Sequence, residues 1–368
     1  MPRTTTPLAR TRTRSPLFMH AGTEPPPPPS TRFQGSKYKL LDWLWEKLSA
    51  LSFETVLDAF GGSGCVSHFL KGKGKSVTFN DVMRWNCLCA QAIVANDDEE
   101  LTPADIALVV ERNPSFEYDG VIERTFHDIY FTDNENRWLD TTVQNISRLP
   151  TNNKQALAYY GVFQAAISKR PYNLFHRKNL YMRLAQVERS FGNKATWDKP
   201  FPDHFRAFVA EVNRAVFSTG KTCQVLNMDA SAVLGRYDLV YIDPPYVNRR
   251  GIGVDYYGFY HFLEGMANYT AWPGMIDYPS KHRRLKPVKS AWLNAKQVHG
   301  AFHRLFERFA ESILVVSYRS DGIPSLDELA RMLRQYKRNV VLETLNGSYK
   351  YVLSTNGRST EAILIGTD

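Results

Sequence analysis

The chain has 368 residues, a formal net charge of +9 and 43% hydrophobic residues. That length suits about two domains, or one with a large insertion, and the composition supports a sizeable globular core. No apolar run approaches the ~18 residues a membrane-spanning helix needs, so a soluble protein is expected. The cysteines, Cys65, Cys87, Cys89 and Cys223, have neither the density of a disulfide framework nor the spacing of a zinc site. A reducing cytoplasm and no bound metal are the expectation. The positive balance suits a polyanionic partner without specifying one.

Residues 1–30 differ from the rest. "MPRTTTPLARTRTRSP" is rich in Arg, Thr and Pro and has no acid, and "EPPPPPS" follows. The stretch lacks the apolar centre of a secretory signal and reads as a disordered or polyproline arm. After a turn at Gly35 and Ser36, Leu40, Leu41, Leu44, Trp45 and Leu48 recur at helical spacing. Val56 and Leu57 then read as a strand. A turn with Gly61, Gly62 and Gly64 leads into a short helix through Phe69, and "SVTFND" is a second strand ending at Asp81.

Residues 101–215 read as mostly helical. Within them, "SKRPYNLFHRKNLYMR" mixes Lys169, Arg170, His176, Arg177, Lys178 and Arg183 with Tyr172, Phe175 and Tyr181. Cations interleaved with aromatic rings suit phosphate contact plus base stacking, and suit equally a solvated helix pair anchored by its rings. The strand pattern resumes at "CQVLNMDA" and "YDLVYIDPPY". A loop-rich stretch follows, with "YYGFYHF" and a second basic cluster that includes Arg283 and Arg284. Val298, Phe302, Leu305, Phe306 and Phe309 then mark one face of a helix, and "ILVVSYRS" is a strand. Ser325 with Glu328 three residues later is a capping box. "NVVLETL" and "EAILIG" form a closing strand pair.

Two places carry chemistry. The glycine-rich turn after the first strand lets a ligand approach the backbone. No Lys-Ser or Lys-Thr follows it, so it is not a phosphate-cradling loop, and Asp58 at the strand end suits an amino group. Asp81 stands where an acid bonds a ribose hydroxyl in nucleotide-binding folds, or where an ordinary helix cap would stand. The second place is "DPPY": Asp243 ends a buried strand, Pro244 and Pro245 stiffen the turn, and Tyr246 is held by it.

The order "FQGSK", "DAFGGSG", "VTFND", "NMDA", "DPPY" resembles the Dam-like, alpha-group N6-adenine DNA methyltransferases over roughly residues 33–366. The resemblance implies an α/β, Rossmann-like, S-adenosylmethionine-dependent methyltransferase sheet with a C-terminal antiparallel hairpin. Residues 31–100 and 216–368 would form it, with 101–215 an inserted, mainly helical recognition region. It implies catalysis at Asp243, Pro244, Pro245 and Tyr246. S-adenosylmethionine would be held by Ser36, Lys37, Asp58, Phe60, Gly61, Gly62, Gly64, Asp81 and Asp229. It also implies double-stranded DNA as partner, with a restriction endonuclease acting separately. DNA contact is then expected at Lys169, Arg170, Tyr172, His176, Arg177, Arg183, Arg283 and Arg284. The chain departs from the family pattern at Ala59, where proline is usual, and at Gly62, where a larger residue is common. Two alternatives stay open: the same chemistry on RNA or a protein amide, and a DNA-binding protein that has lost catalysis.

Overall fold

A computed structural model describes residues 24–186, 194–345 and 359–368. Its strands are β1 (Thr55–Asp58), β2 (Ser76–Asn80), β3 (Gln224–Leu226), β4 (Leu239–Ile242), β5 (Val247–Asn248), β6 (Ile313–Arg319), β7 (Gly322–Ile323), β8 (Asn339–Thr344) and β9 (Glu361–Thr367). Among the described residues, seven of them form one sheet in the order β3-β2-β1-β4-β6-β9-β8. β9 runs antiparallel to both its neighbours, and the other pairings are parallel. β5 and β7 pair antiparallel beside the sheet. This is a Rossmann-like sheet with an antiparallel C-terminal strand pair, as the resemblance implies.

The central strands are short apolar runs because both faces are covered. All four residues of β4 are buried. Side chains alternate across a strand, so neighbours feed opposite cores. Val56, Tyr241 and Val315 join one hydrophobic cluster, while Leu57, Val240 and Val316 join the other. The second cluster is closed by the helices Val298–Arg308 and Leu326–Leu333. Ser325 and Glu328 cap the latter reciprocally, as the sequence predicts.

The helices between residues 103 and 214 lie over the first face. Val109, Leu139, Phe163 and Phe205 from this interval belong to the same cluster as Val56 and Val77. The interval therefore shares its core with the sheet. Its helix Asn152–Ser168 is buried on most sides from Ala156 onward, which explains the largely apolar sequence of that part.

Residues 1–23, most of the expected arm, lie outside the described residues. The remainder of the arm is not loose. Pro28 and Pro29 are buried. Ser30 donates from Oγ to Glu211 at 2.9 Å, and its carbonyl accepts from the Tyr160 hydroxyl at 3.0 Å. Among the described residues, this Pro-rich stretch is therefore held against the folded chain.

Candidate active site

β2 and β3 lie to one side of β1, whereas β4 lies to the other. Chain order reverses at the β1–β4 seam, which is where open α/β sheets form a ligand crevice beyond the strand ends. Asp58 ends β1 and Asp243 follows β4, so two carboxylates meet at that crevice. The glycine turn runs from β1 into the helix Cys65–Gly72. A Cβ on Gly61 would overlap the Phe79 ring, and Gly62 and Gly64 have φ of +51° and +74°. A side chain fits at none of the three without strain.

Asp58 is buried. The Ser67 hydroxyl donates to its Oδ2 at 2.7 Å, and its Oδ1 has no hydrogen-bond partner among the described residues. Burial lifts its pKa to about 7, against the opposing bond from Ser67. Asp81 accepts from Gly62 N–H at 3.0 Å, Met83 N–H at 2.7 Å and Asn86 Nδ2 at 3.1 Å. It ties the second strand to the glycine turn and keeps one of a carboxylate's roughly four acceptor positions. Burial lifts it to about 6. Asp229 is exposed and accepts from Ser231 N–H at 2.9 Å, capping the turn Ala230–Ala232. Ser63 donates to Ser36 Oγ at 3.3 Å, and Phe60 meets Trp292 edge to face at 4.8 Å. Of these residues, Ser36, Asp58, Phe60, Gly61, Gly62, Ser63, Asp81, Asp229 and Trp292 line one cavity of about 420 Å³, whereas Gly64, Ser67 and Ser231 do not.

Asp243 forms the far wall of that cavity. Lys37 Nζ stands 3.2 Å from its Oδ1, 3.1 Å from Glu361 Oε1 and 2.5 Å from the Tyr246 hydroxyl. The Tyr246 hydroxyl in turn donates to Asp243 Oδ1 at 2.6 Å. Burial would lower Lys37, but Asp243 and Glu361 more than offset it and hold the ammonium well above its ordinary value. Burial raises Asp243, with Lys37 opposing. The Tyr246 ring is nearly buried, edge-on to Tyr318 at 5.0 Å.

Beyond Lys37 and Tyr246 lies a wider cleft of about 1220 Å³. Lys37, Tyr246 and Tyr256 border both spaces. Tyr256 stacks on Phe33 at 5.5 Å, and Phe33 stacks on Tyr260 at 5.2 Å, so this wall is stiff. Arg32, Lys39, Arg249 and Arg250 are exposed on the cleft.

The basic stretch at residues 169–183 divides in two. Lys169, Arg170 and Arg183 are buried, contrary to the expectation that they meet phosphate. Lys169 Nζ donates to the carbonyls of Trp197 and Lys199, both at 2.6 Å. Arg170 bonds the carbonyls of Leu174, Tyr130 and Arg177 and the side chain of Asn179, with its guanidinium 4.2 Å from the Tyr130 ring centre. Arg183 pairs with Glu135. Most of their donors are spent inside the protein, on carbonyls, an amide and a carboxylate that no local sequence pattern reveals. His176 is half-buried against Phe259. Arg177 and Lys178 are exposed, and Tyr172 projects onto the wide cleft with φ of +63°. In the second cluster Arg283 bonds the Tyr278 carbonyl, and exposed Arg284 pairs with Asp277 at 3.1 Å.

Sequence reasoning did not select Glu361, Phe33 or Trp292. Glu361 begins the apolar strand β9 and is 1% exposed, so an acid at the head of "EAILIG" was the available signal.

A mainly parallel sheet with reversed chain order, a glycine turn at a ligand-sized cavity and a DPPY turn on that cavity's wall together define a methyltransferase. The family model of D12 class N6 adenine-specific DNA methyltransferases matches residues 33–320, and the chain belongs to that family. It is 30% identical over 325 residues to type II methyltransferase M2.HphI of Haemophilus parahaemolyticus, covering 86% of this chain and 91% of that protein. It is 23% identical over 344 residues to type II methyltransferase M.CviAII of Paramecium bursaria Chlorella virus 1, covering 90% and 96%. Modification methylase LlaI of Lactococcus lactis subsp. lactis is 25% identical over 346 residues, covering 89% of this chain and 52% of that protein.

Proposed function

We propose that the chain transfers a methyl group from S-adenosylmethionine to N6 of an adenine swung out of double-stranded DNA, at one short sequence. It would act as the modification enzyme of a restriction-modification system in the bacterial cytoplasm. The observation that carries this reading is that Asp243, on the wall of the 420 Å³ cavity, is bonded to Lys37 and Tyr246, which border both that cavity and the wide cleft. The names of the relatives, type II and modification methylases, support the restriction-modification role.

The residues around the smaller cavity fit S-adenosylmethionine. Asp58 offers a buried carboxylate oxygen with no hydrogen-bond partner among the described residues, which suits the ammonium of the methionine part. Asp81 has an acceptor position left for a ribose hydroxyl. Exposed Val82 and Met228 flank the cavity mouth and suit the faces of a purine, with Asp229 beside them. When bound, this cofactor supplies an electrophilic methyl group.

Adenine enters from the wide cleft, because chemistry at its amine requires leaving the base stack. Asp243 and the Pro244 carbonyl accept the two N6 hydrogens and draw the nitrogen toward a tetrahedral, nucleophilic form. Tyr246 leaves its hydrogen bond to Asp243 and stacks on the base, and Pro245 keeps the turn stiff. Asp243, made more basic by burial, stabilises the positive charge that develops on N6 and accepts the proton that N6 then sheds. Arg32, Lys39, Arg177, Arg249 and Arg250 meet phosphate. Tyr172 and the second basic cluster approach the duplex beside them.

The test is modification-sensitive sequencing of DNA from a methylation-deficient bacterial host expressing the chain. N6-methyladenine at one recurrent short motif is the expected result. Folded protein with no methylated adenine would overturn the reading and make RNA the next substrate to examine.

A further inference from the structure

Lys37 has three N–H donors, and three acceptors surround them: Asp243 Oδ1, the Tyr246 hydroxyl and Glu361 Oε1. Two of the three belong to the DPPY turn. The third comes from β9, the reversed strand, where Glu361 lies in register with Arg319 of β6. Lys37 and Glu361 are 5% and 1% exposed, so water does not replace either partner.

A buried ion cluster is a weak source of stability, since apolar side chains of similar volume serve a core as well or better. The cluster does fix where an ammonium stands. We infer that Glu361 is a positioning residue for methyl transfer: it holds the Lys37 ammonium to the side of Asp243, so that the carboxylate keeps an acceptor free for the adenine amine. This rests on the proposed adenine methylation.

When Tyr246 releases Asp243 to stack on a base, Lys37 loses one acceptor. An ammonium anchored by Glu361 stays at Oδ1. An unanchored one can slide across both carboxylate oxygens and cover the place an N6 hydrogen must take. Glu361 does not itself border the 420 Å³ cavity; it lies at the floor of the wide cleft, 1% exposed and turned to Lys37. It acts on the reaction through Lys37, and a change there should leave cofactor affinity nearly intact.

The test measures single-turnover methyl transfer to DNA, with separate binding constants for DNA and S-adenosylmethionine. Glu361→Gln keeps the shape and removes the charge. The expected result is a transfer rate lower by about 10- to 100-fold, the scale of a ~1 Å misplacement in a reacting constellation, with both affinities within about twofold. Glu361→Asp keeps the charge on a shorter stem and should recover part of the rate. In a Lys37→Met background, adding Glu361→Gln should change the residual rate by less than about twofold, because residues acting through one another are not additive. A Glu361→Gln rate within twofold of the parent, or an undiminished loss in the Lys37→Met background, overturns the inference. If Glu361→Gln does not fold, Glu361→Asp decides: full parental activity in that variant rejects the role. A parent protein that methylates no adenine refutes the proposed function itself, which separates the two failures.

Discussion

Arg183 grips Glu135 with two charge-assisted hydrogen bonds, 2.9 Å from Nη1 and 2.7 Å from Nη2, and Lys169 approaches the same carboxylate at 3.0 Å. Burial would raise the Glu135 carboxyl, but these cations hold it below its ordinary value. Two cations in the segment that reads as the most DNA-like are therefore structural. Arg183→Met leaves Glu135 without its fork and should destabilise the fold by about 3–5 kcal/mol, the usual cost of removing one partner from a buried pair. Denaturant unfolding measures that loss. The salt dependence of DNA binding by the folded fraction should not change. A lowered salt slope with unaltered stability would return Arg183 to the DNA surface.

The cations free to meet DNA lie elsewhere. Arg249 and Arg250 follow the DPPY turn by a few residues and are exposed on the wide cleft. Each phosphate contact removed should reduce the slope of log K against log salt by about 0.9. Arg249→Ala with Arg250→Ala should flatten it by nearly ~2 if both make contact. Binding titrations across a salt series read this directly. Cofactor affinity serves as the control, since neither residue borders the smaller cavity.

Gly61→Ala probes the glycine turn. The added Cβ would overlap the Phe79 ring, and Phe79 is a fully buried part of β2. The ring cannot move without disturbing the sheet, so the turn must shift away and carry Gly62 off the Asp81 carboxylate. We expect at least a tenfold weaker S-adenosylmethionine affinity by calorimetry, on the scale of ~1.4 kcal/mol for a lost hydrogen bond. A Gly61→Ala variant that binds as tightly as its parent would show that the turn is not part of the cofactor site.

What the sequence made legible was local. β1, the glycine turn and Asp81 form one continuous unit, and Asp243 to Tyr246 are four consecutive residues, so their spacing carried the geometry. Arg170 and Glu361 depended on distant partners. Arg170 reads as a surface cation, because arginine is seldom fully buried. Its burial is set by carbonyls at Tyr130, Leu174 and Arg177, which only the folded helices bring together. Glu361 meets Lys37 across almost the whole chain, so no window of sequence contains both. The same holds for the stretch after Glu24: its composition signals disorder, and the bonds that anchor its end at Ser30 come from the distant Glu211 and Tyr160.

Asp243→Asn tests the catalytic turn more directly. The amide keeps one acceptor oxygen but brings two hydrogens that face those of the adenine amine, and Lys37 loses its charged partner. Losing a preorganised group at the reacting atom typically costs about 10²–10³ in rate. Cofactor affinity should stay within a few-fold, because Asp58, Asp81 and the glycine turn are untouched. Radiolabel transfer to DNA under saturating conditions decides it, and near-parental turnover would remove Asp243 from catalysis.

The protonation of Asp58 gives a pH prediction of fixed sign. Its pKa in the folded protein, about 7, lies above the ordinary carboxylate range because burial disfavours the charged form. Such a group stabilises the fold fully below its unfolded pKa, and that contribution is lost as pH rises through the folded value. Asp81, lifted to about 6, acts in the same direction. The ligand-free protein should therefore lose thermal stability between about pH 4 and pH 7 from these two groups. Cofactor binding runs the other way. A ligand ammonium needs the ionised carboxylate, so S-adenosylmethionine affinity should rise with pH below about 7, by up to about tenfold per unit, and level off above it. Asp58→Asn should weaken binding and flatten the part of this dependence owed to Asp58, leaving a shallower rise near pH 6 from Asp81. Calorimetric titrations at a series of pH values test it. An unchanged pH profile in Asp58→Asn would mean that the cofactor's ammonium is held by another group.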